Sequence, residues 1–127
     1  MEGFVAKIRE SSKELTAKER VAIKDTSNAV SIDEVTTADG KLIIDYAWHC
    51  IINIHNEHSD NKDYAKCVVV DKNNNKYVTG SESFRNALIE IVDEMTQAGE
   101  GDNIQLECYR KESKNYKGKS FITCSLI

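Results

Sequence analysis

The sequence predicts a mostly β domain with one helix. Three observations predict it. Apolar and polar residues alternate over several short runs, which is the period of a half-buried strand. A single run, residues 84–95, repeats at helical spacing instead. The chain has 127 residues, 40% of them hydrophobic, which suits one domain with one core.

Taken in order, residues 1–20 carry Val5, Ile8 and Leu15 at uneven spacing among mixed charges. They read as a basic N-terminal arm or short helix, preferably an arm that orders on contact. Residues 21–127 then form the folded domain. Ala29 to Val35 alternates, with Val30 and Ile32 on one face, and Asp39-Gly40 is a hairpin signal. In the run Leu42 to Ile54 the even positions are Leu42, Ile44, Tyr46, Trp48, Cys50, Ile52 and Ile54. All are apolar or aromatic, so this is a long strand with one buried face, long enough that a bend or bulge is expected.

His55 to Asp63 reads as a polar loop. Tyr64 to Asp71 and Lys76 to Thr79 are strand pieces joined by the turn-rich Lys72-Asn73-Asn74-Asn75. Phe84, Ala87, Leu88, Ile91, Val92 and Met95 define the helix. Thr79 and Glu82 have capping-box spacing before it, Ser81 is a second N-cap candidate, and Gly99 and Gly101 mark its end. Ile104 to Arg110 and Ser120 to Leu126 are the closing strands. The expected architecture is an OB-fold-like five-stranded barrel with its helix between strands 3 and 4. Such barrels bind oligonucleotides on a sheet face and flanking loops.

The net charge of -4 is unevenly spread. Residues 2–24 hold six Lys/Arg against four Asp/Glu, and residues 107–119 hold five against two. The middle, 25–106, holds six against fifteen. A local cationic surface is therefore possible on an anionic protein. No apolar run reaches the roughly 18–20 residues of a membrane span, and the first residues lack a signal-peptide pattern, so a cytoplasmic location without membrane contact is expected.

The richest segment is Tyr109 to Phe121, which places five cations and three aromatics in thirteen residues. Cations hold phosphates and rings stack on bases. Strand parity puts Ile104, Leu106 and Cys108 on one face and Tyr109 and Lys111 on the other. In the last strand Ile122, Cys124 and Leu126 face inward and Phe121 outward. Tyr116, Phe121 and Tyr109 are thus the expected stacking rings, with Tyr64, Tyr77 and Trp48 as further platforms. Arg110, Lys111, Lys114, Lys117 and Lys119 are the expected phosphate contacts, with Asn115 among them in the loop. The bland reading is that Tyr64, Tyr77 and Tyr109 are ordinary strand residues and that Trp48 and Tyr46 pack in the core.

Other chemistries have weaker support. Cys50, Cys67, Cys108 and Cys124 lie in apolar runs without C-x-x-C pairing and read as small buried hydrophobes. His49, Cys50, His55, His58 and Cys67 are near in sequence, but Cys50 and His49 point to opposite strand faces, so a zinc site is disfavoured. No nucleophile elbow or phosphate-binding loop is present, and neither an enzyme nor a cofactor is expected.

Two stretches carry a resemblance. They are Lys76-Tyr77-Val78-Thr79-Gly80-Ser81-Glu82-Ser83-Phe84 with its helix, and Tyr109 to Ser125 with its Ser-Lys-Asn-Tyr-Lys-Gly-Lys core. Together they resemble OB-fold single-stranded-DNA-binding proteins of conjugative plasmids and phages of Gram-positive bacteria. The resemblance implies non-sequence-specific binding of single-stranded DNA, protomers placed side by side along the strand, and a role in DNA transfer, replication or recombination. Housekeeping relatives carry an acidic tail, whereas this chain closes on a strand, so neither tail recruitment nor their tetramer is carried over. The alternatives are an RNA-binding OB domain and a protein-interaction module.

Overall fold

The computed structural model describes residues 4–37, 40–58, 60, 62–113 and 118–127. Among them are seven strands and three helices. The order is β1 (Phe4–Ser11), α1 (Ala17–Lys24), β2 (Val30–Ser31), α2 (Ile32–Val35), β3 (Leu42–Asn56), β4 (Asp63–Asp71), β5 (Lys76–Thr79), α3 (Glu82–Gln97), β6 (Gln105–Glu112) and β7 (Ser120–Leu126). The strands form one sheet in the order β2-β5-β4-β3-β6-β7, with β1 added to β3, and the sheet curls into an open half-barrel. Among the described residues no helix is long and apolar enough to cross a membrane.

β3 organises the sheet. Its first residues, Leu42 to Asp45, pair with β6. Tyr46 onward pairs with β4, and Cys50 to Asn56 also pair with β1 on the other side. Between Tyr46 and Trp48 two steps of β3 oppose one step of β4, so Ala47 is the extra residue of a bulge. A bulge shifts the side-chain phase by one. Leu42, Ile44 and Tyr46 therefore join one core cluster, while Trp48, Cys50, Ile52 and Ile54 join a second on the opposite face. The expectation of a single buried face for Leu42 to Ile54 is corrected here: the bend was expected, its inversion of faces was not.

The first cluster is closed by α3. Ser81 caps the helix by accepting from the Phe84 amide at 3.2 Å. Phe84 and Leu88, fully buried, pack with Ile104, Leu106, Cys108, Ile122 and Cys124. Burial of each such side chain is worth about 1.5–3 kcal/mol. The second cluster is closed by α1, which brings Ile23, together with Leu15, Ala6 and Ile8. Thr16 and Glu19 form a capping box at the start of α1. At its other end the Lys76 ammonium donates to the carbonyls of Ala22 and Asp25, at 2.7 and 3.0 Å. With both faces of the sheet covered here, β4 is buried continuously from Cys67 to Asp71.

The five-stranded, one-helix expectation is corrected to seven strands and three helices, with the long helix between β5 and β6. The missed elements have physical explanations. β1 contains its own bulge at Arg9, between Ile8 and Glu10, which breaks the alternation that marks a strand. β2 is two residues paired in parallel with β5, and Ile32, expected to share a strand face with Val30, begins the one-turn α2 under a Ser31 cap. Residues 1–20 were expected as an arm or short helix; from Phe4 onward they are built into the body as β1 and most of α1, which runs on to Lys24.

Candidate nucleic-acid interface

β6 and β7 form a long hairpin whose register pairs Tyr109 with Thr123 and Lys111 with Phe121. Its inner face, Leu106, Cys108, Ile122 and Cys124, is buried in the first cluster. Its outer face therefore carries Glu107, Tyr109, Lys111, Phe121, Thr123 and Ser125. Phe121 is 37% exposed, and Lys111 and Lys119 are exposed. Tyr109 and Phe121 are diagonal neighbours, a separation of about 7–8 Å. The Tyr109 hydroxyl lies 2.7 Å from Ser125 Oγ, which fixes the tilt of its ring. The hairpin narrows at Ser113, whose amide donates to the Lys119 carbonyl at 2.9 Å.

β3 extends this face. Leu42 pairs with Cys108 and Ile43 with Glu107, so Ile43 and Lys41 stand beside the hairpin's outer residues. Ile43 is 48% exposed and Lys41 Nζ reaches Glu107 at 3.4 Å. Neither residue was singled out from sequence. The polar phase of β3 was a signal for them, but the partner strand lies more than sixty positions away.

The remaining candidates are dispersed. Arg110 follows the inward phase of β6; its guanidinium donates to the Asp33 carbonyl at 3.0 Å, and its Nε is buried without a hydrogen-bond partner. Asp33 also accepts from Thr79 Oγ1 at 2.7 Å, so Arg110 ties the hairpin to α2 and β5. Tyr77 packs against the first cluster and its hydroxyl donates to Asp71 Oδ2 at 3.1 Å. Tyr64 packs against the second cluster near the far end of β4. Trp48 packs on the same cluster with the Lys13 ammonium 4.8 Å from its ring centroid. Lys114, Asn115, Tyr116 and Lys117 lie outside the described residues. The structure thus brings Tyr109, Lys111 and Phe121 together and keeps Tyr64, Tyr77 and Trp48 apart from them.

The titratable groups elsewhere are tied into the scaffold. Burial raises the Asp71 carboxyl, but hydrogen bonds from Asn75, Tyr77 and Asn73 outweigh it and hold the group below the ordinary carboxylate range. His55 is raised by its hydrogen bonds to Asp63, at 2.7 Å, and Glu57, at 2.5 Å. His49 is lowered by burial, against the pull of Glu10 and Asp93, and its Nδ1 lies 2.7 Å from the Tyr46 hydroxyl. Burial pushes the Cys50 thiol up to about 11 and those of Cys67 and Cys124 up to about 12, and raises Cys108 as well. All four cysteines are buried and carry no disulfide, and thiols so raised are poor nucleophiles. Among the described residues no group of three or more His, Cys, Asp or Glu is placed to hold a metal ion.

No protein-family model, curated protein or solved structure matches this chain.

Proposed function

We propose that the protein binds single-stranded DNA without sequence preference, stacking bases on the outer face of the β6–β7 hairpin. The observation that carries this reading is the exposed ring of Phe121, with the half-buried Tyr109 diagonal to it and Lys111 directly opposite. A ring that packing does not need, beside a cation, matches the chemistry of a base followed by its phosphate. The basic hairpin loop, with Lys114, Tyr116, Lys117 and Lys119 in its sequence, adds cations and a further ring. The curvature of the half-barrel is roughly OB-like, and we read the fold as an elaborated OB barrel on that basis. By the resemblance of residues 76–84 and 109–125 to plasmid and phage single-stranded-DNA-binding proteins, it acts in DNA transfer, replication or recombination, and a cytoplasmic location is part of the same proposal. Neighbouring protomers then lie along the strand.

Fluorescence anisotropy with labelled single-stranded DNA, duplex DNA and RNA across a salt series tests this. Single-stranded DNA should bind, with affinity falling steeply as salt rises. Phe121→Ala should weaken binding by about 1–3 kcal/mol without changing the salt slope. Equal affinity for duplex would remove the stacking mechanism, and preference for RNA would redirect it to the 2′-hydroxyl. Absence of binding to all three ends the proposal.

A further inference from the structure

The bulge at Ala47 has a consequence for the interface. Because it inverts the phase of β3, Trp48 lies on the same face of the sheet as Tyr109 and Phe121, opposite the first cluster. Trp48 borders a cavity of about 200 Å³ between α1 and the β4–β5 turn. Ile23 and Val70 supply its apolar walls; Asn74, Lys76 and Glu19 supply its polar ones.

We infer that this cavity is a second contact for the bound strand, taking one nucleotide with its base against Trp48. The inference rests on the DNA-binding reading and gives that surface a second, separate anchor.

Each wall has a chemical role. The indole offers the flat face on which any base stacks. Asn74 carries both a donor and an acceptor for a base edge. Its place is preset: Asp71 Oδ1 accepts from the Asn73 and Asn75 amides at 2.9 and 2.8 Å, and Asn74 takes the left-handed backbone, φ 67°, that asparagine tolerates. Lys76 is held at the rim by its two bonds to α1 carbonyls. Lys13, over the indole, gives a phosphate its ammonium. In the unbound protein Lys13 pairs with Glu19 at 2.5 Å, so a phosphate takes over from Glu19 as its partner.

The spacing supports one strand using both anchors. Ile43, paired with Glu107, marks the hairpin's outer face on β3, and Trp48 lies five positions further along the strand. At about 3.3 Å per residue that is roughly 17 Å. A strand of several nucleotides reaches both places and a mononucleotide reaches one.

Trp48 is the sole tryptophan of the chain, so its fluorescence reports this cavity alone. Titration with an oligothymidylate of about twenty nucleotides should quench it with the same midpoint as the anisotropy change. Lys13→Ala should reduce the salt slope by about one. Trp48→Leu should lower affinity about tenfold and Trp48→Phe less. Binding with unchanged tryptophan emission overturns the second anchor and leaves the hairpin reading standing. Quenching that survives loss of both Tyr109 and Phe121 rings with undiminished affinity keeps the cavity and removes the hairpin. No binding in either measurement removes both.

Discussion

The two stretches of β3 on either side of Ala47 are alike in sequence and opposite in structure. Leu42, Ile44 and Tyr46 face the cluster under α3; Trp48, Cys50, Ile52 and Ile54 face the cluster under α1. Alternation looks unbroken through both because the bulge residue is itself small and the phase change falls between two aromatic residues. A period-two pattern therefore establishes that a strand exists, but not that one face of it stays on one side of a sheet. Here the inversion lets a single strand serve two cores, and it puts Trp48 on the side of the hairpin rings.

The sharpest way to break this comparison is to insert one residue between Val70 and Asp71, opposite Ala47. With Ala47 paired, β3 alternates regularly from Tyr46 to Trp48, and one stretch must turn its apolar residues out of its core. At about 1.5–3 kcal/mol for each misplaced side chain, the loss matches or exceeds a stability of about 5–15 kcal/mol. We expect no folded state, seen as collapse of amide dispersion in a two-dimensional NMR spectrum. A dispersed spectrum with native shifts for both clusters would show that the bulge is dispensable.

A smaller effect is expected at the junction itself. Asp71 pairs with Tyr46 in register and holds the β4–β5 turn through four hydrogen bonds. Asp71→Asn should cost about 2 kcal/mol near neutral pH, the size of a bond to a charged group. Because the folded carboxyl is depressed, this stability is present above the unfolded value and lost as pH falls through the folded one. Urea melts of the two proteins should thus converge as pH falls below the unfolded value of 3.8. A gap that stays constant with pH would assign the effect to shape rather than charge.

The smallest effect sharpens the outer end of the second stretch. His55 is raised by Asp63 and Glu57, so its contribution is full below the unfolded value of 6.5 and is lost as pH rises through the folded one. NMR titration of its ring should give a midpoint above 6.5, and His55→Gln should remove the matching slope in stability. A midpoint at or below 6.5 would mean that the carboxylates do not hold the ring in solution.

Much of the architecture was legible. The α3 stripe from Phe84 to Met95, the β5 boundaries and the in-out parity of the closing hairpin follow from local periodicity, and each is found. What was not legible depends on partners distant in sequence. β1 loses its alternation at Arg9 and is a strand because β3 receives it. Arg110 was grouped with the phosphate-binding cations, but the inward phase of its strand position carries it toward Asp33, 77 residues earlier. Of the proposed site, Tyr109, Lys111 and Phe121 could be grouped from parity alone, whereas Lys41, Ile43 and Lys13 required the sheet.

The Lys76 clasp on α1 also bears on the order in which the chain becomes ordered. During synthesis β1 has no edge to join until residues through Asn56 have left the ribosome. α1 then waits twenty residues more for the ammonium that satisfies its last carbonyls. The segment of β1 and α1 is therefore made before its partners and secured late. Through that interval it resembles a nascent, chaperone-accessible segment rather than part of a domain.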